Sequence, residues 1–243
     1  MSETDPLDKE AKARLEEATQ FVVINKTAKG VRSDLAEDYL RKIQLLDPTV
    51  VANLPARVTS GIEWKPMAID LAEYLNDNSP VWKERIRFPN EPIGTTTVTQ
   101  VSFTDSLKPI LQNDSFKQFS KGELAKILDS YWSAIYKHCP EAFDNPDDYV
   151  IQRSAGCYVL HKVLPKVLSY AAVPGEKLTQ KKIEDVLEGL EAMESEYWNV
   201  NKTAGLIGTS FKAFGILSSR ISADLDKKME EKQPAKGMRP FEI

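Results

Sequence analysis

Apolar residues recur at three- and four-residue spacing along most of the chain, and that pattern predicts a mainly helical protein. Leu7, Ala11, Leu15, Ala18 and Val22 form the first stripe, which runs into Val23 and Ile24. The β-branched cluster at 22–24 would suit a short strand, but no breaker interrupts the stripe, so a helix over 7–24 is the better reading. Asn25, which tolerates the left-handed conformation, then serves as its C-cap. A second helix begins at Ser33 or Asp34, where Asp34 and Glu37 have capping-box spacing. Leu35, Tyr39, Leu40, Ile43 and Leu46 face inward, and Pro48 stops it. Pro66 seeds a third helix through about Asn76 with Met67, Leu71, Ala72 and Leu75 inward.

The period then changes. Between Pro80 and Pro89, Trp82, Glu84, Ile86 and Phe88 alternate with Val81, Lys83, Arg85 and Arg87, which predicts a strand. Thr95 to Val101 is rich in β-branched residues, and the Asn90-Glu-Pro-Ile-Gly94 connection joins the two as a hairpin. From Ser102 the helical period returns. Ser120 and Glu123 form a capping box for a helix to about His138, and a further helix spans about Tyr149–Ser169, with Pro165 expected to kink or interrupt it. Pro174-Gly175 marks a turn, Thr179 caps a helix to about Met193, and Gly205 and Gly208 precede a last helix over Ser210–Glu230. No internal repeat is expected; Asn-Lys-Thr-Ala recurs at 25–28 and 201–204, but the flanks do not match. The expected fold class is mainly α (α+β), a helical bundle with a small β hairpin near residues 81–101. One domain over 7–231 lies between a disordered start (1–6) and a flexible tail (232–243).

Composition narrows the setting. With 243 residues, 42% hydrophobic and 28% charged, the chain can build one substantial core as an ordinary globular protein. A net charge of −4 argues against coating nucleic acid by bulk charge and leaves only local basic patches. Two cysteines make no disulfide framework. The acidic start Met1-Ser-Glu-Thr-Asp-Pro6 has no signal-peptide character, and no apolar run approaches the roughly 18 residues that span a bilayer. A cytoplasmic protein without a membrane partner is expected.

The run Phe21-Val-Val-Ile-Asn25-Lys-Thr27-Ala-Lys29-Gly-Val31 resembles the F-x-x-I-N-x-T-x-K-x-V signature of DGQHR-domain proteins. Three later stretches are similar to that family in the same order: Leu71–Leu75 with Asn78–Trp82 and Arg85-Ile86; Val98–Phe103 with Leu107–Leu111; and Ile127–Trp132 with Pro140 and Ala155–His161. The chain carries no Asp-Gly-Gln-His-Arg motif, so it resembles the C-terminal part of a DGQHR-domain (DndB-like, ParB-related) protein. The resemblance implies a binding module associated with DNA modification or phage defence, with DNA or a protein supplying the missing half as partner. Two other readings remain beside it: one half of a split nucleotide-dependent enzyme, and a stand-alone helical interaction scaffold.

Several constellations could carry chemistry. Asn25, Thr27 and Lys29 lie in a Gly-containing loop ahead of a helix start, a place that favours anions, against the alternative of a capped helix connection. The loop lacks P-loop spacing. Three acid-poor windows supply candidate nucleic-acid contacts: Lys26, Lys29 and Arg32; Arg153, Lys162 and Lys166; Lys202, Lys212 and Arg220. Gly205 and Gly208 could cradle an anion, but close approach of two backbones explains them more simply. His138, Cys139, Cys157 and His161 fall close together, yet adjacent His138 and Cys139 diverge by about 100° on a helix, so packed side chains are expected and no metal or cofactor is called for. No catalytic constellation is expected from two histidines and scattered carboxylates. With its covering half missing, the 7–24 helix would expose Leu15, Phe21 and Val22 and seek a partner or self-associate.

Overall fold

The computed structural model describes residues 13, 16–24, 41–43, 64–173, 175–208 and 210–232. Within them the protein is mostly helical, with one small sheet. Residues 13, 16–24 and 41–43 are helical. Val22 is fully buried and Phe21 half-buried, so the apolar face expected to await a partner is covered at Val22 by the chain itself; Leu15 lies outside the described residues. Arg41 locks the 41–43 stretch onto the next helix, donating to Asp70 at 2.7 Å and forking onto Glu73.

That helix, α1 (Lys65–Asn78), starts with Pro66 in its first turn, where a missing N–H is harmless, and buries Ala68, Ile69, Leu71, Ala72 and Leu75. The next segment departs from the expected hairpin. Val81–Arg85 is a turn, with Glu84 at φ 58°, and the ladder shrinks to β1 (Ile86–Arg87) and β2 (Val98–Thr99). These strands pair in parallel, Ile86 opposite Val98. An antiparallel hairpin fails because Thr99 ends β2 at once: its hydroxyl accepts from Ser102 N and caps α2 (Gln100–Ser106). The inward residues of the alternation, Trp82 and Ile86, are nevertheless buried.

Two short elements follow, α3 (Lys108–Leu111) and a 3-10 turn (Asp114–Phe116), and then the long α4 (Lys121–His138). The Ser120–Glu123 capping box forms in both directions. After α5 (Pro140–Asp144), α6 (Ser154–Ala171) continues past Pro165 without interruption. It is the centre of the domain, packed against α2, α3, α7 (Gln180–Leu187) and α9 (Phe211–Lys232). Thr179 caps α7 as expected, but the helix stops at Leu187, because Gly189 takes φ 76° and turns the chain into 3-10 segments at Glu191–Met193 and Ser195–Trp198. A short α8 (Thr203–Ile207) precedes α9.

Two helix starts are cross-linked. Val150 N donates to Trp198 O, Val200 N to Asp148 O, and Tyr149 bridges Asn199 in antiparallel sense. Their sequences are similar at every position but Val150/Asn199: Tyr149-Val-Ile-Gln-Arg-Ser-Ala-Gly156 against Trp198-Asn-Val-Asn-Lys-Thr-Ala-Gly205. The two helix starts thus share one local geometry, each glycine packed against the carbonyl five residues before it.

The core centres on aromatic rings set edge to face. Trp82 lies 4.8 Å from both Phe103 and Trp132, and His161 lies 5.3 Å from Phe103 and 5.4 Å from Trp132. Such contacts add about 0.5–1.5 kcal/mol each beyond simple burial. Among the described residues no helix is long and apolar enough to cross a membrane.

A candidate aromatic and cationic groove

Helices α6 and α9 run side by side in the same direction: Tyr158 meets Phe214, Lys162 approaches Gly215, and Lys166 and Tyr170 both reach Asp226. Where the pair opens against the start of α1 and the α2–α3 corner, it leaves a groove of about 510 Å³. Its aromatic wall follows from helical spacing. Tyr158 projects from α6 between Phe211 and Phe214, one turn apart on α9, stacking on Phe214 at 5.2 Å and meeting Phe211 edge-on at 5.2 Å. Phe211 is 75% exposed, which is unusual for so large an apolar ring. Trp64 lines the opposite side, with Lys108 Nζ 6.0 Å from its ring centre and Lys65 Nζ at 5.0 Å.

Charge is distributed unevenly around the groove. Lys65 is buried, and its ammonium is held by Asp105 Oδ1 at 2.5 Å and Thr104 Oγ1 at 3.3 Å. Asp105, its side chain partly exposed, lines the groove. Burial, with Asp105 nearby, raises the Tyr158 hydroxyl well above its ordinary pKa, so it stays a neutral donor. Lys108 and Lys162 line the rim, exposed and without an ion-pair partner among the described residues. Lys212, equally exposed and unpaired there, adjoins Phe211.

The basic residues singled out from sequence separate into two groups. Arg153 donates to the Pro146 and Asp147 carbonyls at 2.8 Å, and Lys202, its counterpart at the second helix start, pairs with Glu196 at 3.4 Å. Lys166 pairs with Asp226 and Arg220 with Glu191 at 2.7 Å. All four are therefore engaged within the fold. Lys162 and Lys212 are the described candidates without a partner among the described residues; Lys162 lines the groove, whereas Lys212 only follows Phe211 along α9. Asn25, Lys26, Thr27, Lys29 and Arg32 lie outside the described residues. The sequence reading missed Trp64, Asp105, Lys108, Tyr158, Phe211 and Phe214. Tyr158 with Lys162, and Phe211 with Phe214, were the available signal: aromatic residues at helical spacing inside the acid-poor windows.

His161 and the cysteines serve the core. Trp132 Nε1 donates to His161 Nε2 at 3.0 Å, which places the ring proton on Nδ1. That proton then points at Ser106 Oγ, 2.7 Å away, and Ser106 donates onward to Phe103 O at 2.6 Å. The serine hydroxyl thus accepts from the histidine instead of surrendering a proton to it, the wrong polarity for a nucleophile. Burial pushes the Cys139 thiol up to about 12 and Cys157 higher still, so neither is a ready thiolate. Among the described residues no group of three or more His, Cys, Asp and Glu side chains is arranged to hold a metal ion. A second, larger hollow of about 880 Å³ opens between α4 and the end of α6, walled by Phe116, Phe119, Ile127, Leu168 and Leu178. Against known protein families, curated proteins and solved structures, the chain shows no match.

Proposed function

We propose that this protein is a nucleic-acid-binding module that stacks an unpaired base in the α6–α9 groove, while Lys108, Lys162 and Lys212 meet the adjoining phosphates. The supporting observation is the exposed Phe211 ring beside Tyr158, at a cavity also lined by Lys108 and Lys162, which have no ion-pair partner among the described residues. Aromatic faces with flanking cations suit single strands, because every base has a π-face and every nucleotide a phosphate. The net charge of −4 fits a local grip better than a protein that tracks long duplexes. The resemblance to DGQHR-domain proteins agrees with this reading and adds a DNA-modification or defence setting, in which a base taken out of the duplex is the natural ligand.

The test is a titration of a labelled single-stranded oligonucleotide across salt concentration, beside the same sequence as a duplex. Saturable binding is expected to favour the single strand and to weaken with a log–log slope of about −2, as three lysine–phosphate contacts give on a single strand. Phe211→Ala, at an exposed position, should leave the fold intact and weaken binding roughly 5- to 150-fold, the worth of one stacked base. Lys162→Glu should flatten the salt slope. No saturable binding at low salt, or full affinity in Phe211→Ala, would refute the reading.

A further inference from the structure

We infer that the groove selects guanine, and that Asp105 is the residue that reads it; this rests on the base-stacking reading above. Among the described residues Asp105 is the one carboxylate lining the groove, in a place where a general phosphate site would carry none. Its position is built, not incidental. Lys65, buried beneath it, grips Oδ1 at 2.5 Å and is itself held by Thr104 Oγ1 and the Trp64 ring. Oδ2 has no hydrogen-bond partner among the described residues, and the side chain is 39% exposed. An oriented carboxylate, fixed from behind by an ammonium, therefore presents acceptors to whatever stacks against Tyr158 and Phe211.

Base chemistry then discriminates. A carboxylate offers two acceptors side by side and no donor. Guanine meets it with two adjacent donors on its Watson–Crick edge, N1–H and the N2 amino group. Adenine and cytosine place an unprotonated ring nitrogen beside their amino group, and uracil and thymine flank their single N–H with carbonyl oxygens. Each of these sets a lone pair against the carboxylate, so guanine alone gains two hydrogen bonds without repulsion. The nearby charge is consistent with that pose: Lys65 neutralises Asp105 from the buried side, while Lys108 and Lys162 remain for the phosphate. A cavity of 510 Å³ lies in the range that small ligands of nucleotide size occupy.

Calorimetric titration of the full chain with the 5′-monophosphates of guanosine, inosine, adenosine, cytidine and uridine tests this. Guanosine monophosphate is expected to bind roughly 5- to 150-fold tighter than the adenosine, cytidine and uridine nucleotides, the discrimination of one bidentate base contact. Inosine monophosphate, which lacks the N2 amino group, should fall between. Asp105→Asn should erase the preference while keeping stacking. Because that variant leaves Lys65 buried without its counter-ion, its fold is checked by circular dichroism, and the guanosine-to-inosine step carries the test if it unfolds. Equal affinity for all five nucleotides, or a preference for adenosine, would overturn the guanine assignment and leave the stacking groove standing. Absence of binding by all five, together with no binding of the oligonucleotide, would overturn both.

Discussion

Acidification from pH 7 to pH 4 is expected to remove about 3 kcal/mol of folding stability through His161 alone. The imidazole is fully buried among Phe103, Trp132 and Ser106, and burial pushes its pKa from the ordinary 6.5 down to about 3. Its neutral form is also fixed by donation from Trp132, since a protonated Nε2 would face the indole N–H donor to donor. The unfolded chain takes up a proton near pH 6.5, whereas the folded chain resists to about 3. The stabilisation is therefore complete above pH 6.5 and is lost as pH falls through that window, at about 1.4 kcal/mol per unit. Urea unfolding at pH 7, 5 and 4 checks this against His161→Gln, which removes the titration and keeps an acceptor for Trp132. The wild type should lose about 2 kcal/mol between pH 7 and pH 5, and the variant, weaker at pH 7, should lose little. Asp226, whose carboxyl is held below its ordinary range by Lys166 and Tyr170, contributes equally to both proteins and cancels in the comparison. Parallel pH profiles for the two would show that His161 is not the acid-sensitive group.

Helical periodicity and caps were legible because they are local. The Ser120–Glu123 box, the Thr179 cap and the Pro66 start each depend on a few neighbouring residues and formed as the spacing predicted. The β pairing was not legible. The alternation at 81–88 located Trp82 and Ile86 in the core, but the partner strand's direction depends on Thr99 turning straight into a helix. The candidate site was half visible. Charge windows singled out Lys162 and Lys212 together with Arg153, Lys166, Lys202 and Arg220; remote carboxylates engage Lys166 and Arg220, while a turn of the chain brings nearby groups onto Arg153 and Lys202. Asp105 gave no signal by itself, since a lone carboxylate acquires meaning only when α2 and α9 pack on α6 and bring it to the groove that Phe211 also lines. The likeness of the two helix starts is faint in sequence: only Ala and Gly are shared, while Ile151/Val200, Gln152/Asn201, Arg153/Lys202 and Ser154/Thr203 agree in chemistry.

Gly156→Ala is expected to destabilise the protein by more than about 3 kcal/mol, at the upper end of what one added methyl does. A Cβ at Gly156 would stand 1.8 Å from the Ile151 carbonyl oxygen and 2.5 Å from its carbon. The obstacle is backbone, so no rotamer change relieves it. Ile151 cannot retreat either, because its neighbours are tied: Val150 N bonds to Trp198 O, and Gln152 Nε2 to Val81 O at 2.7 Å. Gly205 meets the same condition against Val200, 2.2 Å from its oxygen, so close backbone approach explains the glycine at both positions. Gly122 in α4 has open space around its missing Cβ, and Gly122→Ala should stabilise by about 0.5–1 kcal/mol. Thermal unfolding of the three alanine variants separates these outcomes, with Gly156→Ala expected to suffer most. Its turn launches α6, the helix that carries Tyr158, His161 and Lys162 and packs against α2, α3, α7 and α9. Gly205 launches only the short α8. A Gly156→Ala protein that unfolds like wild type would mean that the 149–156 turn yields without moving α6, and that the groove does not depend on it.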